Sequence, residues 1–196
     1  MAAKPSATNV PTELDAQQIV EFSTVMNEMA MNNAHVNAYE VRNALLIERK
    51  KNRIRYLNGY TEMPATVAQM LANAEDRKYN HRRTLARNIS AVEEAKRPGA
   101  ACAHHIVALT DKEARRSRDR IFKFGIAIND ADNGVFLPRH SVGLPGYPKA
   151  AHHSPYHSPR YHGEVWLRLR TRSEETGTRE ELKGMKADLL AGRMTL

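Results

Sequence analysis

The stretch Ala103-His104-His105-Ile106-Val107 decides how this chain is read. It lies in a short apolar run, Ala101 to Leu109, whose length and composition predict a strand. Successive side chains of a strand point to opposite faces. His104 and His105 are therefore placed to do different jobs: one can hold a metal ion while the other meets a water. Seven of the nine histidines lie at or after position 104; beyond the pair these are His140, His152, His153, His157 and His162. The C-terminal half is expected to form the frame that brings His153 and His157 to the pair.

Upstream of the strand, Lys96-Arg97-Pro98-Gly99 ends a helical region, and proline followed by glycine predicts a domain boundary there. Residues 1–11 read as a loose tail. Apolar periodicity predicts helices over about 13–31 and 35–57, and a third from Pro64 through Leu85 to Ile89. The second carries a basic cluster, Arg49, Lys50, Lys51, Arg53 and Arg55, and is followed by the turn signal Asn58-Gly59.

Downstream, Thr110-Asp111-Lys112-Glu113 predicts a capping box that opens a helix ending at Gly125. Ile126-Ala127-Ile128 predicts a short strand, and residues 129–134 a turn-rich loop closed by a tight Asn-Gly turn. Gly134 to Pro138 reads as a strand leaving that loop, and 139–157 as a long loop. Ser158-Pro159 supplies an N-cap and first position for a helix with Tyr161, Val165, Trp166 and Leu169 on its apolar face. Gly177 is expected to interrupt, and Thr178-Arg179-Glu180-Glu181 to cap a last helix. The expected fold class is α+β and mostly helical: a helical N-terminal region over 1–98 and a second domain over 99–196.

Composition narrows the chemistry. With 41% apolar and 27% charged residues the chain can bury a core. A formal charge of +8 favours polyanionic partners through counterion release. Cys102 is the one cysteine, which excludes a disulfide framework and a Cys-rich zinc cluster, so a metal site has to be built from His, Asp, Glu or Asn. The start Met1-Ala-Ala-Lys-Pro-Ser has no apolar h-region, and no run approaches the ~18 apolar residues a membrane span requires. The expectation is a protein made in the cytoplasm that leaves, if it leaves, without a cleaved signal peptide.

Three pieces carry chemistry together: His104-His105, the Asn-rich turn 129–134, and His153-x3-His157 with Tyr161 four residues on. Neutral imidazoles hold a divalent metal well, and histidines i and i+4 on a helical turn can reach one ion. His105, on the other strand face, is free to take a proton from water, a task suited to a group whose ordinary pKa is near 6.5. An Asn side chain can accept the other imidazole N–H and fix the tautomer. The metal would neutralise charge on a phosphate oxygen and on a leaving 3′ oxygen.

Ala103-His104-His105-Ile106-Val107, then Phe124-Gly125-Ile126 with Ile128 to Pro138, then His153-x3-His157-x3-Tyr161, closely resemble the AHH family of nucleases in the HNH/endonuclease VII superfamily, over about residues 100–170. The resemblance implies a ββα-metal active site binding one divalent ion (Mg, Mn, Ni or Zn). In it His105 matches the general base and His104 a metal ligand. Asn133 matches the Asn that orients the base, with Asn129 as the alternative. His153 and His157 match the closing metal histidines, and Tyr161 a tyrosine at the site or the phosphate. The expected nucleic-acid contacts are Arg115, Arg118, Arg139 and Arg160. The implied activity is a DNase toxin of little sequence specificity, acting in the cytoplasm of a target cell. Its implied partners are DNA, a secretion apparatus (type VI, Rhs or contact-dependent) or carrier protein, and a cognate immunity protein. The competing reading keeps the fold and drops the reaction: a basic DNA-binding module with a structural zinc. The two separate at His105, because a structural site needs no second histidine beside His104.

Overall fold

Asn58 and Gly59 both take positive φ, 51° and 85°, the geometry of a type I′ turn. They join β1 (Tyr56–Leu57) to β2 (Tyr60–Thr61) as a small hairpin. Only glycine serves at 59, since a Cβ there would stand 2.4 Å from the Asn88 carbonyl oxygen. The computed structural model describes residues 53–62, 64–139, 143–154 and 156–196. The helices expected over 13–31 and most of 35–57, with Arg49, Lys50 and Lys51, lie outside the described residues, as does His140. Where the second helix was expected to end, the chain is already strand.

Two helices replace the single one expected from Pro64. Thr66 and Gln69 form a capping box that opens α1 (Val67–Glu75). Asn80 then caps α2 (His81–Val92) through its side chain on the Arg83 N–H. The break between them is chemical: Asp76 Oδ1 accepts from Lys78 N, and its carbonyl from Tyr79 N, which closes a turn where a helix would otherwise run on.

β3 (Ala101–His105) pairs antiparallel with β4 (Gly134–Pro138), His104 opposite Val135 and His105 opposite Gly134. The ladder ends at His105, short of Leu109, because Asn133 takes over. Its carbonyl accepts from Ile106 N and its side-chain oxygen from Val107 N. The strand expected at 126–128 is instead a buried irregular segment, and Asn133-Gly134 is no tight turn. Residues Ala131–Asn133 form a single 3-10 turn that delivers Gly134 straight into the strand.

The two faces of this ribbon meet different partners. Ala101, Ala103 and Phe136 pack on Leu85 and Ile89 of α2. Gly134 admits that helix, since a Cβ there would lie 2.7 Å from Leu85 and 2.8 Å from Ile89. Val135 and Leu137 face the main core. That core is shared with Ile121 and Phe122 of α3 (Arg115–Lys123), Tyr161, Val165 and Leu169 of α4 (Pro159–Arg170), and Leu182, Met185 and Leu189 of α5 (Glu175–Ala191).

Three local expectations change. Thr110-Asp111-Lys112-Glu113 is a turn before α3, with Asp111 accepting from Glu113 N, and the helix starts at Arg115 without a side-chain cap. α5 starts at Glu175, so Gly177 lies inside it, and Thr178 bonds back to the Glu174 carbonyl rather than capping. Pro98-Gly99 is a turn within one packed unit, Ile54–Leu196, because α2 rests on β3 and β4. The α+β class with a helical majority among its elements stands.

Candidate active site

The pleat of β3 separates the two histidines as the sequence implies. His104 faces the α4 side, buried, while His105 faces α2 and stays half-buried. Burial lowers the pKa of both, and that of His105 falls to about 4, so both rings are neutral at pH 7.

On the α4 side, His104 meets His157 Nε2 to Nε2 at 3.3 Å. The His153 ring lies 5.5 Å from that of His104, edge to face. Burial lowers the pKa of His157 to about 4 and that of His153 to a lesser degree. His153 is anchored at the end of β4 by its N–H on the Pro138 carbonyl, and His152 beside it is exposed. Tyr161 stacks on the His157 ring at 4.8 Å, while its hydroxyl donates to the Ile106 carbonyl at 2.8 Å. At 1% exposure that hydroxyl cannot reach a phosphate, so Tyr161 meets the site through its ring.

Two neutral imidazole nitrogens aimed at one another suit a shared divalent ion. Metal–nitrogen bonds of about 2.0–2.1 Å in a tetrahedral arrangement separate the ligand atoms by roughly 3.3 Å. His104 and His157 fit that spacing. Among the described residues no group of three or more His, Cys, Asp or Glu side chains is already gathered as a metal site, and His153 would complete one only by swinging its ring.

On the α2 side, His105 Nε2 lies 2.9 Å from Asn129 Oδ1. Asn129, not Asn133, is the amide that touches His105. Asn133 is wholly buried and spends its side chain on backbone: Oδ1 on Val107 N, Nδ2 on the carbonyls of Ile128 and Val107. It fixes the end of β3 and thereby the height of His105. The backbone carbonyl of Asn129 accepts from Asn88 Nδ2 at 2.7 Å, and its side-chain Nδ2 meets His81 Nδ1 at 2.9 Å. His81 was not anticipated. It lies 48 residues from Asn129, and no local pattern announces such a contact.

Beneath this loop sits a charged cluster that composition alone does not reveal. Asp130 accepts from Thr61 N and Oγ1, each at 2.9 Å, and from Asp132 N. Arg179 of α5 reaches Asp130 and Asp132. Burial raises the Asp130 pKa, and the Arg179 guanidinium opposes that rise.

Of the four arginines expected at nucleic acid, Arg115, Arg139 and Arg160 are exposed. Arg118 is committed elsewhere, bracing the turn before α3 through the carbonyls of Ala108 and Asp111. Arg139 also donates to Cys102 Sγ. Among the described residues no helix is long and apolar enough to cross a membrane.

Comparison with known proteins yields one match. The model of AHH, a nuclease family of the HNH/ENDO VII superfamily with conserved AHH, matches residues 85–191, a span that contains Ala103-His104-His105. Searches of curated proteins and of solved structures each gave no match.

Proposed function

This chain belongs to the AHH nuclease family of the HNH/ENDO VII superfamily, and from that premise we propose that it is a divalent-metal-dependent endonuclease hydrolysing DNA with little sequence specificity. The observation that carries the reading is the division of labour across β3: His105 bonded to an amide on one face, His104 opposed to His157 on the other.

The Asn129 oxygen can only accept, so His105 Nε2 carries the proton and Nδ1 keeps its lone pair. Nδ1 takes a proton from water as that water attacks phosphorus. His104 and His157 would hold the ion, with His153, whose ring lies 5.5 Å from that of His104, as a third ligand. A divalent ion supplies charge neutralisation on the phosphate and on the leaving 3′ oxygen. Arg115, Arg139 and Arg160 pair with backbone phosphates, contacts that position a duplex without reading its sequence. The biological setting we propose is that of a toxin module, delivered through a secretion apparatus or carrier to the cytoplasm of a target cell, with an immunity protein as its inhibitor. The family resemblance supports that setting.

The test is plasmid cleavage by the purified chain with EDTA, Mg, Mn, Ni or Zn, beside His105→Ala and His104→Ala, with RNA in parallel. We expect metal-dependent cutting of DNA, lost in both variants, with metal binding retained in His105→Ala and lost in His104→Ala. Tight zinc binding and DNA retention without cleavage under any metal would instead identify a structural zinc in a DNA-binding module.

A further inference from the structure

His81 is the first residue of α2, only 6% exposed, and lies outside the matched span 85–191. Its Nε2 is 3.2 Å from the Asp76 carbonyl, its ring lies edge-on to Tyr79 at 4.9 Å, and its Nδ1 is 2.9 Å from Asn129 Nδ2. We infer that His81 is a positioning residue for the nuclease: it fixes the Asn129 amide so that His105 presents Nδ1, not Nε2, to water. This rests on the reading of His105 as the base.

The polarity follows from one end. A main-chain carbonyl only accepts, so His81 carries its proton on Nε2 and donates to Asp76. A neutral His81 then has a lone pair on Nδ1, which accepts from Asn129 Nδ2. That orients Asn129 Oδ1 toward His105, which must donate from Nε2. Neutrality is favoured where the ring sits, since the N-terminus of α2 disfavours a cation. Removing His81 takes away the acceptor 2.9 Å from Nδ2 and with it a main hold on this orientation. Turned over, its N–H would meet His105 Nε2, push the proton to Nδ1 and occupy the base nitrogen. A second grip from the same helix holds the other end of Asn129. Asn88, about two turns along α2, takes its backbone carbonyl. α2 thus moors the base-bearing face although it precedes Pro98-Gly99.

The test uses the full chain loaded with its activating metal. His81→Phe keeps a ring and removes the acceptor. His81→Asn restores an acceptor near the position of Nδ1. We expect His81→Phe to lower kcat about 10- to 100-fold with KM little changed, the usual scale for a group that orients a reacting residue through another. His81→Asn should recover most of that loss. Nitrogen-15 spectra of the histidines provide a readout that a packing defect would not mimic. The unmutated protein should show the Nε2–H tautomer at both His81 and His105, and His81→Phe should lose it at His105. An Nδ1–H His105 in the unmutated protein overturns the inference even if His81→Phe fails to fold. So does wild-type kcat in His81→Phe, or an Asn variant as impaired as the Phe variant. His105→Ala run alongside separates the failures. If it is inactive while His81→Phe turns over normally, only the His81 assignment falls; if it cuts at the wild-type rate, the base reading falls and takes His81 with it.

Discussion

Replacing Arg179 with methionine keeps the apolar stem and removes the cation from two buried carboxylates. Asp130 is 0% exposed and Asp132 5%, while Arg179 itself is 14% exposed. Breaking one side of a buried pair costs about 3–5 kcal/mol, because the remaining charge stays desolvated. Here the lower end applies. Asp130 keeps the Thr61 N–H, the Thr61 hydroxyl and the Asp132 N–H, and the third partner of Arg179, Glu175, is half-exposed and adds little. The expected loss is about 3 kcal/mol, roughly 10 °C in Tm for a unit of this size. The loss should also depend on pH. Burial raises the Asp130 pKa, and removing Arg179 raises it further. An acid whose folded pKa lies above its unfolded one destabilises the fold above that folded value and is relieved as it protonates. The gap between variant and wild type therefore narrows on going from pH 8 toward pH 5. Urea denaturation of both proteins at several pH values measures this. A deficit below about 1 kcal/mol, or one that widens toward acid, would refute the claim that Arg179 neutralises a buried charge beneath the Asn129 loop.

Three further outcomes follow from particular contacts. Tyr161→Phe leaves the buried Ile106 carbonyl without its 2.8 Å partner and should cost about 1–3 kcal/mol while sparing the stack on His157, so thermal melting should move more than metal affinity. Gly134→Ala forces a methyl against Leu85 and Ile89 opposite His105 and should cost about 1–3 kcal/mol, read by the same melt, with wild-type stability contradicting the close approach of α2. The folded pKa values of His105 and His157 lie near 4, against 6.5 for an ordinary histidine. The unfolded chain therefore binds protons that the folded one refuses, and stability is full above pH 6.5 and falls as pH drops toward 4. Metal-free protein whose unfolding free energy stays flat across that window would contradict the burial of these rings.

The sequence carried the local features and missed the distant ones. The start of the strand at Ala101 (expected to run on to Leu109), the strand after Gly134 and the Ser158-Pro159 helix start were legible because period, N-cap and proline position are short-range signals. The meeting of His104 and His157 across 53 residues was implied by the family resemblance and not by the helical spacing of His153 and His157, since both lie in the irregular segment before α4. The choice between Asn129 and Asn133 was not legible. Both are amides in one turn, and only the path of the chain shows that Asn133 is used up by backbone. Capping patterns misled at 110–113 and 178–181, where polar residues close a turn or bond back along a helix. His81 and Arg179 act across 48 and 49 residues, contacts set by how α2 and α5 pack rather than by any motif.

β3 also works as a parity device. The two histidine environments fall on odd and even positions of one strand, His105 opposite Gly134 and His104 opposite Val135. Substitutions in the strand leave that assignment alone, and an insertion of two residues preserves it. A one-residue insertion or deletion between Ala101 and His104 inverts it, turning His104 toward Asn129 and His105 into the core. A length change of one in this short strand should therefore be more damaging than many substitutions, and viable length variants of the protein should differ there by even numbers.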